Sequence, residues 1–214
     1  QMRVLCGATG SAKTRVLHAL AQAGEQVLDL EGYASHKGSL LGNLPGVEQP
    51  SQKRFDTLIA EQLEQLDLSR PVYLEGESAK IGRVGLPLVL VNHLHQAPVI
   101  EIRASTEARL AYLLRDYNYL GDDPQQLSDK LGWLKELQGN ETVRRWQGWA
   151  QTRNLSPLFE ELMLRHYDPH YERSQSNHFK QWLQRQVLET NDLSDEAITQ
   201  LANQIIALQT HDRA

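Results

Sequence analysis

The residues best suited to chemistry stand almost at the start of the chain, where Arg3-Val4-Leu5-Cys6 runs into Gly7-Ala8-Thr9-Gly10-Ser11-Ala12-Lys13-Thr14. An apolar run, a glycine-containing loop and a Lys-Thr pair opening an amphipathic stretch have the order of a P-loop. Gly7, Gly10, Ser11 and Ala12 would turn backbone N–H groups toward a phosphate, and the following helix adds the positive end of its dipole. Lys13 would set its charge on the terminal phosphates, and the Thr14 hydroxyl would sit where Mg²⁺ binds. The usual glycine before the lysine is here Ala12. A Cβ there is tolerated where φ is negative, and it crowds the approach of phosphate to backbone.

Carboxylates end the next apolar runs. Glu75 and Glu77 close Tyr73-Leu74-Glu75-Gly76-Glu77, where a P-loop fold holds Mg²⁺ or orients an attacking group, so Glu75 joins Thr14 as a candidate metal ligand. Asp29 and Glu31 end Val27-Leu28-Asp29-Leu30-Glu31 and lead into a polar loop over 32–46. In that loop His36 could act as acid or base near neutrality and Lys37 could contact a phosphate; a solvated loop side chain is an equal reading of each. Arg83, Arg109 and Arg115 suit the neutralising role of arginines in kinase lids, although the spacing of Arg109 and Arg115 leaves at least one facing solvent. Arg144 and Arg145 lie in a basic stretch interleaved with Trp133, Trp146 and Trp149. That mixture suits RNA, which offers phosphates and unstacked bases; a helical core under a solvated face is the plainer alternative. The eight histidines show no ligand spacing, and no zinc site is expected.

The elements that must position these residues alternate. Val16, Leu17, Leu20 and Ala23 recur at helical spacing, a strand is expected over 27–31, and Pro50-Ser51 opens a helix carrying Phe55, Leu58, Ile59 and Leu63 on one face. A strand at 72–75, a helix at 86–95, a strand at 99–102 and a helix at 106–116 follow. Strand and helix in turn predict an α/β fold, a P-loop NTPase-like parallel sheet flanked by helices. From about residue 124 the pattern becomes helical, with segments near 124–137, 141–151, 155–166, 177–188 and 194–209. The expected organisation is a core over 1–120 and a helical region over 121–214 packed on it.

Composition bounds the partners. With 214 residues, the chain can bury one sizeable core, and no apolar run approaches the roughly 20 residues of a membrane span. A net charge of −5 means that a nucleic-acid partner would need a local basic patch. The single cysteine, Cys6, rules out an intramolecular disulfide and suits a reducing compartment; with no leader pattern visible, a cytoplasmic protein without membrane partners is expected. On these residues alone, a small-molecule kinase or NTPase binding ATP or GTP, and a non-catalytic RNA-positioning module, both stand open.

A more specific likeness lies in the P-loop octet taken with Val27-Leu28-Asp29-Leu30-Glu31-Gly32 and His36-Lys37-Gly38-Ser39. Gln49-Pro50-Ser51-Gln52, Glu75-Gly76-Glu77-Ser78 with Ile81-Gly82, and Tyr167-Asp168-Pro169 with Tyr171 extend it. Together these resemble the P-loop half of bacterial tRNA 2-selenouridine synthase, over about residues 3–185. The resemblance implies a transferase acting on the wobble 2-thiouridine of certain tRNAs. It implies geranyl transfer from geranyl diphosphate to sulfur, then replacement of the geranylated sulfur by selenium. It further implies that the phosphate loop holds a diphosphate with Mg²⁺, and that the helical region holds the anticodon arm. The rhodanese-like domain that carries the family's selenium-step cysteine has no counterpart between Gln1 and Ala214, and Cys6 does not lie in a rhodanese loop.

Overall fold

The computed structural model describes residues 1–76 and 78–211. Five strands form one all-parallel sheet: β1 (Met2–Cys6), β2 (Gln26–Leu28), β3 (Val72–Glu75), and two more near the end of the chain. A small antiparallel hairpin, β4 (Lys80–Ile81) and β5 (Val84–Gly85), intervenes before β6 (Val99–Ala104) and β7 (Gln186–Thr190) complete the sheet. The sheet order is β2-β3-β1-β6-β7, which puts β1 in the centre with crossovers leaving on both sides. The loop after β1 therefore opens at a topological switch point, where α/β sheets bind their ligands.

Alternation along the strands divides two cores. Val4, Cys6, Val72 and Leu74 face one way, against α2 (Leu30–Ala34), α3 (Gln52–Glu64) and α4 (Leu88–Gln96). Leu5, Tyr73, Ile100 and Ile102 face the other, against α1 (Lys13–Gln22) and α5 (Thr106–Asp116). A third cluster, built around the fully buried Trp146, Leu158 and Met163, joins α6 (Pro124–Gly132), α8 (Asn140–Gln151) and α9 (Leu155–Glu161), with the short α7 (Lys135–Gln138) between the first two. After α9 comes a π-helical turn, Leu162–Tyr167, and then α10 (Asp168–His178). The last element, α11 (Asp195–His211), lays Ile198, Leu201 and Ile205 on Val16, Leu17 and Leu20 of α1.

Two expectations are corrected here. Strands do not stop near residue 124: the segment expected as a helix over 177–188 breaks at Phe179, and Gln186–Thr190 pairs in register with Ile100–Ala104. Its short run of Val and Leu between polar ends fits a helix tail or an edge strand equally well, and only the open edge of β6 decides between them. The expected strand over 27–31 ends at Leu28. Asp29 instead caps α2, its side chain accepting from the Gly32 N–H at 2.8 Å, which diverts the backbone from the sheet. A Cβ on residue 32 would lie 2.4 Å from that carboxylate, so the cap requires glycine there.

Some of the most distinctive sequence matches hold the frame together. Gln49 donates to the carbonyls of Ala34 and Ile81, and accepts from the Arg83 N–H. Gln52 bonds both the N–H and the carbonyl of Gly85, each at 2.8 Å, as a neighbouring strand would. These two amides tie the polar loop and α3 to the hairpin.

Candidate functional site

The phosphate loop is formed. Gly7 cannot carry a side chain, because a Cβ would lie 2.3 Å from Ser11 Oγ and 2.7 Å from the Ile102 carbonyl. Gly10 has φ +85° and lies against Leu113 and the Arg109 carbonyl. The negative φ expected for Ala12 is not what the fold uses: Ala12 is left-handed, with φ 58° and ψ 28°, and its methyl is buried in the core between α1 and α5. No side chain caps the start of α1, so its first N–H groups are directed at the loop's concavity, as an anion requires. Ser11 is 1% exposed, and its Oγ, on the cleft wall, has no hydrogen-bond partner. Lys13 Nζ arches back to the Gly7 carbonyl at 2.9 Å.

Around this loop lies a cleft whose empty volume is about 710 Å³, its solvent-open mouth included. Its polar lining comprises Ser11, Lys13, Thr14, Glu31, Lys37 and Glu75, with Thr9 and Ser39. The Thr14 hydroxyl donates to Glu31 Oε2 at 3.2 Å, and Glu75, 2% exposed at the end of β3, stands on the same wall. A hydroxyl and two carboxylates beside a phosphate loop are a donor set for a hard divalent cation. Lys37 Nζ sits 3.9 Å above the Tyr117 ring and donates to the Asp116 carbonyl at 3.3 Å. Burial lowers the Lys37 pKa, partly offset by Asp116 and Glu31. Lys13 and Lys37 both line the cleft.

The rest of the lining is mostly apolar: Leu41, Leu113, Leu120, Phe159, Leu162 and Met163, with Tyr117 and Tyr167. Burial drives the Tyr167 pKa up to about 12, against the hydrogen bonds it makes to Ser39 and Leu41, so the phenol is neutral at physiological pH. Tyr167 stood in a matched motif, and Leu41, Tyr117 and Leu120 carried no signal in the sequence. Leu113, Phe159, Leu162 and Met163 carried only helical periodicity, which reports a buried face without saying what it faces.

The remaining candidates disperse. Asp29, besides capping α2, pairs with His18 at 2.8 Å, so Glu31 and not Asp29 reaches the cleft. His36 is buried, bonded to the Asn43 side chain at 3.2 Å, and is not among the cleft-lining residues. Arg109 is 6% exposed and is no solvent-swept lid arginine. Its guanidinium grips Asp168 through two bonds of 3.0 and 2.5 Å, and its Nε donates to the Thr9 carbonyl at 2.8 Å. Arg115 pairs with the neighbouring Asp116, Arg83 donates to the Gln49 carbonyl, and Arg145 bonds Glu161. Arg144 is exposed on α8. Trp146 is core, its indole N–H bonded to Glu161 at 2.8 Å, whereas Trp133 is exposed. Glu77 lies outside the described residues.

A parallel sheet whose central strand feeds a glycine loop, a lysine and an uncapped helix defines a P-loop protein. Residues 1–136 match the tRNA 2-selenouridine synthase AAA domain, and the chain belongs to that family. A tRNA 2-selenouridine synthase from Alcanivorax borkumensis is 35% identical over 175 residues, covering 76% of this chain and 46% of that protein. Another, from Shewanella halifaxensis, is 31% identical over 199 residues, covering 80% of this chain and 53% of its own length. The chain thus spans about half the length of these two relatives. The solved structure of TT1252 from Thermus thermophilus superposes with a TM-score of 0.44 at 16% identity, over 96% of each chain. Among the described residues no helix is long and apolar enough to cross a membrane.

Proposed function

We propose that this chain is the prenyl-diphosphate-binding and transferring part of a tRNA-modifying enzyme. One observation carries the reading: a single cleft is lined both by the phosphate loop and by a group of apolar side chains. A nucleoside triphosphate uses the first and seeks polar partners for its base and ribose, whereas the hydrocarbon tail of geranyl diphosphate is matched by the apolar side chains. Ser11 Oγ, the first N–H groups of α1, Lys13 and Lys37 would hold the diphosphate. Thr14, Glu31 and Glu75 would hold Mg²⁺, which supplies charge neutralisation at the leaving group when bound.

The sulfur of a wobble 2-thiouridine attacks C1 of the donor. A C–S bond forms as the C1–O bond breaks, the electron pair leaves with the diphosphate, and the base loses its N3 proton to solvent. Lys13 and Lys37 stabilise charge that grows on the diphosphate only as the bond breaks, which is where electrostatic catalysis is largest. Selenium exchange belongs to a rhodanese-like unit acting with this one: Cys6 is buried and donates its S–H to Gln175, so no selenium carrier is presented by this chain. The exposed Arg144, with Lys130 and Lys135, belongs to the face that meets the anticodon arm. Such chemistry, on tRNA, places the protein in the cytoplasm.

Calorimetric titration with geranyl diphosphate, ATP and GTP, each with Mg²⁺, tests this. The expected result is selective binding of geranyl diphosphate, weakened at least about a hundredfold in Lys13→Ala, since charge-assisted bonds to phosphate are lost. Nucleotide binding and turnover without geranyl diphosphate binding would make the protein an NTPase or kinase instead.

A further inference from the structure

One part of the cleft lining is built differently from the rest. Phe159 lies in the last turn of α9, and the segment that follows, Leu162–Tyr167, winds as a π-helix before α10 resumes ordinary geometry. A π-turn fits an extra residue into a helix and redirects its side chains; such turns are rare and recur at functional sites. Here the redirected side chains are Leu162, Met163 and Tyr167, all lining the cleft, and Met163 is fully buried.

The turn is tied to the phosphate loop. Asp168, the residue immediately after it, holds Arg109, and Arg109 holds the Thr9 carbonyl. Tyr167 is bonded to Ser39 and Leu41 of the loop over 32–46. The phosphate anchor and the apolar floor are therefore parts of one braced frame, and the space between them cannot lengthen freely.

We propose that Phe159, Leu162 and Met163 are a length gauge: with the diphosphate fixed at the P-loop, they set how long a hydrocarbon tail the cleft accepts. The proposal rests on the prenyl-diphosphate reading above and adds to it the residues that choose among donors. Met163, unbranched and deformable, makes the limit graded, so that longer tails are bound progressively more weakly.

The experiment is calorimetric titration of the whole chain, with Mg²⁺, against dimethylallyl, geranyl and farnesyl diphosphates, which differ by one isoprene unit at each step. Wild type, Met163→Ala, Phe159→Leu and Lys13→Ala are compared after circular dichroism confirms their folding. Wild type should bind farnesyl diphosphate at least about tenfold more weakly than geranyl diphosphate, and Met163→Ala should shrink that ratio by about tenfold or reverse it. Phe159→Leu, which keeps an apolar branched side chain, carries the test where Met163→Ala does not fold. Binding that depends on Lys13 but has the same farnesyl-to-geranyl ratio in wild type and in the folded variants would overturn the gauge and leave the donor reading standing. Failure of all three prenyl diphosphates to bind would overturn both.

Discussion

At the residue scale the site departs from its own consensus at Ala12, and the backbone shows why the departure is tolerated. A left-handed alanine costs roughly 1–2 kcal/mol, but its buried methyl returns about 0.8 kcal/mol, and glycine would add unfolded-state entropy. Ala12→Gly is therefore expected to change stability by less than about 1 kcal/mol in denaturant melts. Gly10→Ala has no such compensation: at φ +85° its Cβ would meet Leu113 at 3.0 Å and the Arg109 carbonyl at 3.1 Å. It should cost more than about 2 kcal/mol in the same assay. The Arg109–Asp168 pair offers a second contrast. Asp168→Ala leaves a buried guanidinium without its carboxylate and should cost about 3 kcal/mol, whereas Asp122→Ala, from an exposed pair with Arg153, should cost about 0.5 kcal/mol or less. His36 makes a pH prediction. Burial keeps its pKa below the ordinary 6.5, so as pH falls through that value the unfolded chain takes up a proton that the folded chain refuses. Stability should drop from pH 7 to pH 5.5, and the drop should be smaller in His36→Gln when melting temperatures are compared.

Elements divide by whether their signals are local. Ser51 was legible as the opening of α3, and it accepts the Arg54 N–H as an N-cap does. Ser51→Ala should lower stability by about 1 kcal/mol in chemical denaturation. P-loop, helix α1 and helix α5 were legible for the same reason: glycines, caps and apolar spacing act within a few residues. β7 and α2 were not. In β7 the propensities of five residues are too weak to outvote the helix beside them, and pairing with β6 supplies what the sequence lacks. In α2 the Asp29 side chain competes successfully for a backbone N–H that a strand would have offered to its neighbour.

Over the whole molecule the end of the chain returns to its beginning. α11 covers α1 from the far side of the sequence, with Arg15 of α1 and Asp195 of α11 bonded at 2.7 Å along the seam. Ile198, Leu201 and Ile205 each contribute about 1.5–3 kcal/mol when buried, comparable in sum to the whole stability of a domain, about 5–15 kcal/mol. A chain truncated after Ser194 should accordingly lose its cooperative thermal transition by circular dichroism, although the P-loop lies far from the cut in sequence. The same closure explains the cleft: residues from the polar loop, from α5 and from the π-turn meet only because the third core holds the helical region against the sheet.

The sequence by itself determined that this chain carries a P-loop on a parallel α/β sheet, because a P-loop is contiguous backbone and alternating strands and helices are read within short windows. It also placed Lys13, Thr14, Glu31, Lys37 and Glu75 among the candidates, and the fold brings those together. Tertiary structure alone decided that Asp29 caps a helix, that Arg109 braces the phosphate loop, and that Phe159 and Met163 line the same cleft as that loop. Periodicity reports that a face is buried, whereas the identity of what it buries against depends on contacts between segments far apart in the chain. Those contacts are set by the packing of the whole core, and here they bring apolar side chains from distant helices into the cleft that the P-loop lines.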